Sequence, residues 1–138
     1  MIDYLFIKQL VENIGEVDDI SIKSRKRHIV NLRATYAKLC FLYIDKFTLA
    51  KCGKEINRDH ATIIHALKIF KNDYGTKHFL TEGVFYLCNL KLKGIQSFIL
   101  ENKIKTDIDN IDLIIETYQG MKDKIINNIS VNFEEINN

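Results

Sequence analysis

The sequence predicts an all-α protein: a helix-turn-helix bundle followed by a C-terminal helical hairpin or coiled-coil extension. Three observations predict it. Proline is absent from the 138 residues and glycine occurs six times, too few breakers for the many turns of a β-sandwich or for a flexible linker. Apolar residues recur at three- and four-residue steps along most of the chain, the period of one helix face. Within residues 48–72 a short helix, a turn and a second amphipathic helix follow one another, the order of a helix-turn-helix.

The elements follow in chain order. Residues 2–14 place Ile2, Leu5, Phe6, Leu10 and Ile14 on one stripe, and Gly15 ends that helix before the acidic connector Glu16-Val17-Asp18-Asp19. Ser24 precedes a second helix at about 26–44, in which Ile29, Leu32, Tyr36, Leu39, Cys40 and Tyr43 share a face. Asp45-Lys46 breaks that pattern. Thr48 caps a short third helix with Leu49, Cys52 and Ile56 inward, and Asn57-Arg58 makes a tight turn. Asp59 is an N-cap for a fourth helix reaching about Asn72, with Ile63, Ala66, Leu67 and Phe70 on its buried side. Past Gly75, residues 81–100 are strongly apolar and helical in pattern. From residue 104, Ile104, Ile108, Ile111, Ile115, Tyr118, Lys122, Ile125 and Ile129 alternate steps of four and three, a heptad-like seam with one charged interruption. That seam either folds back as a helical hairpin or pairs two copies into a homodimer. The domains expected are 1–21, an N-terminal helix and acidic connector; 22–74, the helix-turn-helix domain; and 75–138, the C-terminal helical extension.

Bulk composition excludes several classes. Hydrophobic residues at 46% and charged residues at 28% are ordinary for a globular chain. No apolar run approaches the roughly 18 residues of a spanning helix, and the start lacks a basic flank and small-residue cleavage site. A cytoplasmic, nucleoid-associated protein with no membrane partner is the expectation. Cys40, Cys52 and Cys88 form no CxxC pair and sit among apolar neighbours, as buried free thiols do. His60 and His65 are five apart, not a metal-ligand spacing on a helix, and no nucleophile has a base beside it. The chain is therefore read as no enzyme, with no cofactor and no metal.

Net charge, +2 over the chain, is unevenly spread. Residues 1–20 carry one Lys against five acids (−4), residues 21–70 eleven Lys/Arg against three acids (+8), and residues 71–138 eight Lys against ten acids (−2). A basic block between acidic ends suits one face that meets a polyanion. Two features sharpen this. The loop Ser24-Arg25-Lys26-Arg27 stands just before a long helix, where it can follow phosphates or enter a minor groove, and Arg33 extends the same surface. The outer face of the fourth helix offers Arg58, His60, Ala61, Thr62, His65 and Lys68, polar or small groups that can enter a major groove.

Both features at this separation resemble the C-terminal DNA-binding domain (domain IV) of the bacterial replication initiator DnaA. The resembling residues are Ser24-Arg25-Lys26-Arg27-His28-Ile29-Val30, Arg33, Leu49 through Ile56, and Arg58-Asp59-His60-Ala61-Thr62-Ile63-Ile64-His65-Ala66. The resemblance covers about residues 22–72. It implies that Arg25 enters a minor groove, that Arg33 faces DNA from the long helix, and that Asp59, His60 and Thr62 reach base edges with Arg58 near the backbone. By position and charge, Lys51, Lys54 and Lys68 are phosphate contacts. Three departures stand out. Where the family usually has two glycines before Arg-Asp-His, this chain has Asn57 alone, which implies a turn one residue shorter. Ala34 replaces a frequent glutamine, and Ala61 a frequent threonine. Losing two polar readers implies relaxed or shifted recognition relative to the family's nine-base site. No GxxxxGK[ST] loop is present, because Gly53-Lys54 runs into Glu55, so nucleotide-driven initiation is not expected of these residues. The expected function is sequence-specific binding of double-stranded DNA in replication initiation or transcription control. The alternative is a helical adaptor working through its apolar C-terminal helices.

Overall fold

A computed structural model describes the backbone of residues 1–137 and the side chains of residues 1–128. It contains five helices and, among the described residues, no strand: α1 (Tyr4–Ile14), α2 (Arg27–Tyr43), α3 (Leu49–Glu55), α4 (His60–Asp73) and α5 (Glu82–Asn137). Two compact units divide the chain, Met1–Ile95 and Gln96–Asn138.

The first unit is built on α2. This helix buries ten residues, including Leu32, Tyr36, Leu39 and Cys40, because α1 and α4 pack against it while α3 packs on both of those helices. Such a central helix shows little amphipathic contrast, since it has several inward faces. Ile7, Leu10 and Val11 of α1, Ile20 of the connector, Cys52 and Ile56 around α3, and Ile63, Ala66 and Phe70 of α4 complete the core. The Tyr36 hydroxyl donates to the Cys52 carbonyl at 2.8 Å, which satisfies a buried polar group and ties α2 to α3.

Local chemistry sets the helix ends. The Asp3 carboxylate accepts from the Phe6 amide at 2.8 Å and opens α1; Gly15 closes it, its amide donating to the Val11 carbonyl at 2.8 Å. Thr48 accepts from the Lys51 amide, and Asp59 from the Thr62 amide, as N-caps of α3 and α4. α2 begins after Lys26 without a side-chain cap bond.

The connector between α1 and α2 is fixed by a buried acid. Glu12 accepts from the Ile20 amide at 2.8 Å and pairs with Lys8 at 3.0 Å. Lys8 reaches Asp19 at 3.2 Å, and Asp19 accepts from both the amide and the hydroxyl of Ser21. These bonds hold the Ser21 amide and hydroxyl and hold the Asp19 carboxyl down to about 2.

At the other end of the unit, Phe70, Tyr74, Phe79 and Phe85 stack around one another with centroids 4.7–5.6 Å apart. Asn31 accepts from the Leu80 amide at 2.8 Å, the Thr35 and Thr81 hydroxyls bond at 3.1 Å, and Tyr43 bonds the Asn89 side chain. The opening turns of α5 belong to this core through Phe85, Cys88 and Leu92. All three cysteines are buried free thiols; burial pushes Cys88 up to about 11 and Cys40 well above its usual value.

In the second unit the expected hairpin is not formed. Residues 82–137 run as one helix, and residues 96–128 are exposed throughout. Between Leu100 and Ile104 the chain reads Glu101-Asn102-Lys103. None of these compels a turn as Gly or Pro pairs do. Ile129, the last position of the expected seam, lies outside the residues whose side chains are described.

Candidate nucleic-acid interface

Residues 20–26 cross the open end of α4 as an irregular loop. Such a loop has carbonyls that no helix ladder satisfies, and two arginines satisfy them. From α2, Arg33 Nε donates to the Ile20 carbonyl at 2.7 Å and Nη1 to the Ser24 carbonyl at 2.8 Å, while Nη2 bonds the Ile22 carbonyl. From the turn before α4, Arg58 Nη2 donates to the Ile22 carbonyl at 2.9 Å and Nη1 to the Ser21 carbonyl at 3.2 Å. A planar guanidinium with five donors suits this task; a lysine ammonium does not span it. Burial, then the positive charge of Arg58, pulls Arg33 below its ordinary pKa.

Arg33 is therefore engaged within the fold. The sequence reading put it on the DNA-facing surface, but the side chain is 9% exposed and its donors point at loop carbonyls. Arg58, expected near the backbone, is half-buried in the same clamp. The pair latches the basic loop against the start of α4.

Between loop and helix lies an open cleft of about 1070 Å³, lined by Lys23, Ser24, Arg25, Val30, Arg33, Asn57, Arg58, Thr62, His65, Ala66 and Ile69. Arg25 from the loop and Thr62 and His65 from α4 thus share one cavity wall. His60 and Ala61 are exposed in the first turn of α4, and Lys68 is exposed two turns further on. Arg25, Lys26 and Arg27 are all exposed; Arg27 Nη1 lies 3.2 Å from His78 Nδ1. Lys51 and Lys54 are exposed on α3 and border a second hollow with Tyr4, Glu55 and Asn57. Asp59 is committed to capping: it accepts from the Thr62 amide at 2.9 Å and the Thr62 hydroxyl at 3.0 Å. Those bonds lower its pKa.

Two residues without an expected role also shape the site, Gly53 in the turn between α3 and α4 and Lys23 in the basic loop. Gly53 is buried where the chain doubles back, and a Cβ built there would stand 2.5 Å from the Arg58 carbonyl oxygen. The Arg58 amide donates to the Gly53 carbonyl at 2.9 Å, so the backbones must touch and only glycine fits. The signal was present: a glycine inside a short helix one turn before a predicted bend. Lys23, adjoining the basic run, is the second; it lines the cleft beside Arg25. Asn57 takes φ 55°, the left-handed conformation that asparagine tolerates better than most residues. Among the described residues no group of three His, Cys, Asp or Glu converges as a metal site, and no helix is long and apolar enough to cross a membrane.

A short helix, a tight glycine-dependent turn and a second helix with an exposed tip beside a latched basic loop define a helix-turn-helix domain. Residues 9–69 match the family described as the bacterial DnaA protein helix-turn-helix, so this segment is a domain similar to DnaA domain IV. The chain is 46% identical over 57 residues to the chromosomal replication initiator protein DnaA of Bacteroides thetaiotaomicron. That match covers 41% of this chain and 12% of the relative, so the chain spans only a small part of that protein's length. No solved structure matches.

Proposed function

We propose that this protein binds double-stranded DNA, with the tip of α4 in a major groove and the 23–27 loop at the adjacent minor groove. The observation that carries this reading is the shared cleft: Arg25 and Lys23 line one cavity together with Thr62 and His65. His60, Ala61 and Thr62 present short groups that can approach base edges. Arg25, Lys26, Arg27, Lys51, Lys54 and Lys68 supply phosphate contacts around them, and Arg58 contributes charge while holding the loop. Asp59 acts chiefly as the cap that orients the helix tip. The role is in replication initiation or transcription control, without catalysis, and the protein works on the nucleoid.

Selection of duplexes from a random pool with the purified chain tests this. A recovered motif whose binding weakens by roughly 1–3 kcal/mol in His60→Ala supports base readout by α4. Recovery of no enriched duplex, with no binding to any, overturns it.

A further inference from the structure

The second unit carries apolar side chains with no partner in the chain. Ile104, Ile108, Ile111, Ile115, Tyr118 and Ile125 are each at least 50% exposed, far more contiguous apolar surface than a solvated helix retains. Their alternating four- and three-residue steps put Ile104, Ile111, Tyr118 and Ile125 at d positions and Ile108, Ile115 and Lys122 at a positions of a heptad.

We infer that α5 pairs with α5 of a second copy as an antiparallel coiled coil. Charge placement selects the orientation. In a parallel, in-register pair Lys122 would face its own copy, and Asp107 at g would face Asp112 at e of the next heptad, so every charged contact would repel. In the antiparallel pair a layers meet d layers: Ile108 opposes Ile125, Ile115 opposes Tyr118, and Lys122 opposes Ile111. The e position next to Ile111 is Asp112, on the side where Lys122 of the other copy emerges, so each lysine gains a carboxylate. On the opposite flank Ile114 faces Met121, which widens the apolar seam; both are exposed in the single chain, at 67% and 59%. One alignment removes both repulsions and forms two ion pairs.

The test uses the full chain and needs no DNA, so it stands or falls apart from the proposed function. Light scattering at about 10 µM should give twice the 16.1 kDa chain mass, and Ile115→Asp should give the monomer with the thermal unfolding of the first unit unchanged. Asp112→Lys should raise the dimer Kd about tenfold, and Asp112→Lys combined with Lys122→Asp should restore it. For orientation, Ile108→Cys chains mixed with Ile125→Cys chains should form a mixed disulfide under mild oxidant, while neither crosslinks alone. The native thiols are buried and stay silent. A monomeric wild type, a trimer or tetramer, or self-crosslinking of Ile108→Cys overturns the inference.

Discussion

Replacing Arg33 separates two roles that charge alone would confuse. If the side chain attracts DNA as a cation, Arg33→Lys keeps its contribution. If it latches the loop, Lys fails, because one ammonium cannot reach the Ile20, Ile22 and Ser24 carbonyls together. The magnitude follows from which carbonyls lose their donor. Ile22 keeps Arg58, and the Ser24 carbonyl, in a part-buried bond, can turn to water. The buried Ile20 carbonyl has no substitute. One bond to a charged donor in such a place is worth about 1.5–3 kcal/mol. Arg33→Met should therefore lower unfolding stability by about 2–3 kcal/mol and Arg33→Lys by about 1–2 kcal/mol, read by urea titration of the full chain under far-ultraviolet circular dichroism. Both should also weaken duplex binding, since a released loop carries Arg25 away from α4. If Arg33→Lys matches wild type in stability within about 0.5 kcal/mol and in DNA affinity, the latch does not exist.

Two other perturbations probe the same framework. Gly53→Ala places a methyl 2.5 Å from a backbone oxygen, so the turn must open; a loss of about 1–3 kcal/mol is expected, and a neutral result in the same titration would mean that α3 and α4 are not in backbone contact. The Asp19 carboxyl, lowered to about 2 by the Ser21 hydroxyl and amide and by Lys8, protonates more readily unfolded than folded. Its contribution is complete above pH 4 and lost as pH falls from about 4 through 2. Asp19→Asn should flatten that part of the stability-pH curve, and an unchanged curve would remove the connector from the account.

The sequence made the helix-turn-helix readable because its signals are local. Asp59 and Thr48 as caps, the stripe Ile63-Ala66-Phe70, and the run Arg58-Asp59-His60 all act within one or two turns, and the helices lie within one or two residues of their expected bounds. What could not be read depends on distant partners. That Arg33 points inward follows from where carbonyls 9–13 residues earlier come to rest, and periodicity carries no information on that. Glu12 looks like an ordinary surface acid until the connector brings the Ile20 amide to it. The apolar seam from Ile104 onward is a different case: it states that a partner is wanted, and both a hairpin and a second copy satisfy it in sequence.

The central claim is that loop and helix tip act together on one duplex. Duplex affinity measured against salt for wild type and Arg25→Ala tests it most directly. About five neutralised phosphates predict a log–log slope near −4 to −5; removing Arg25 should make it shallower by about one while reducing affinity at every salt concentration. Identical slopes and affinities for the two proteins would contradict the account.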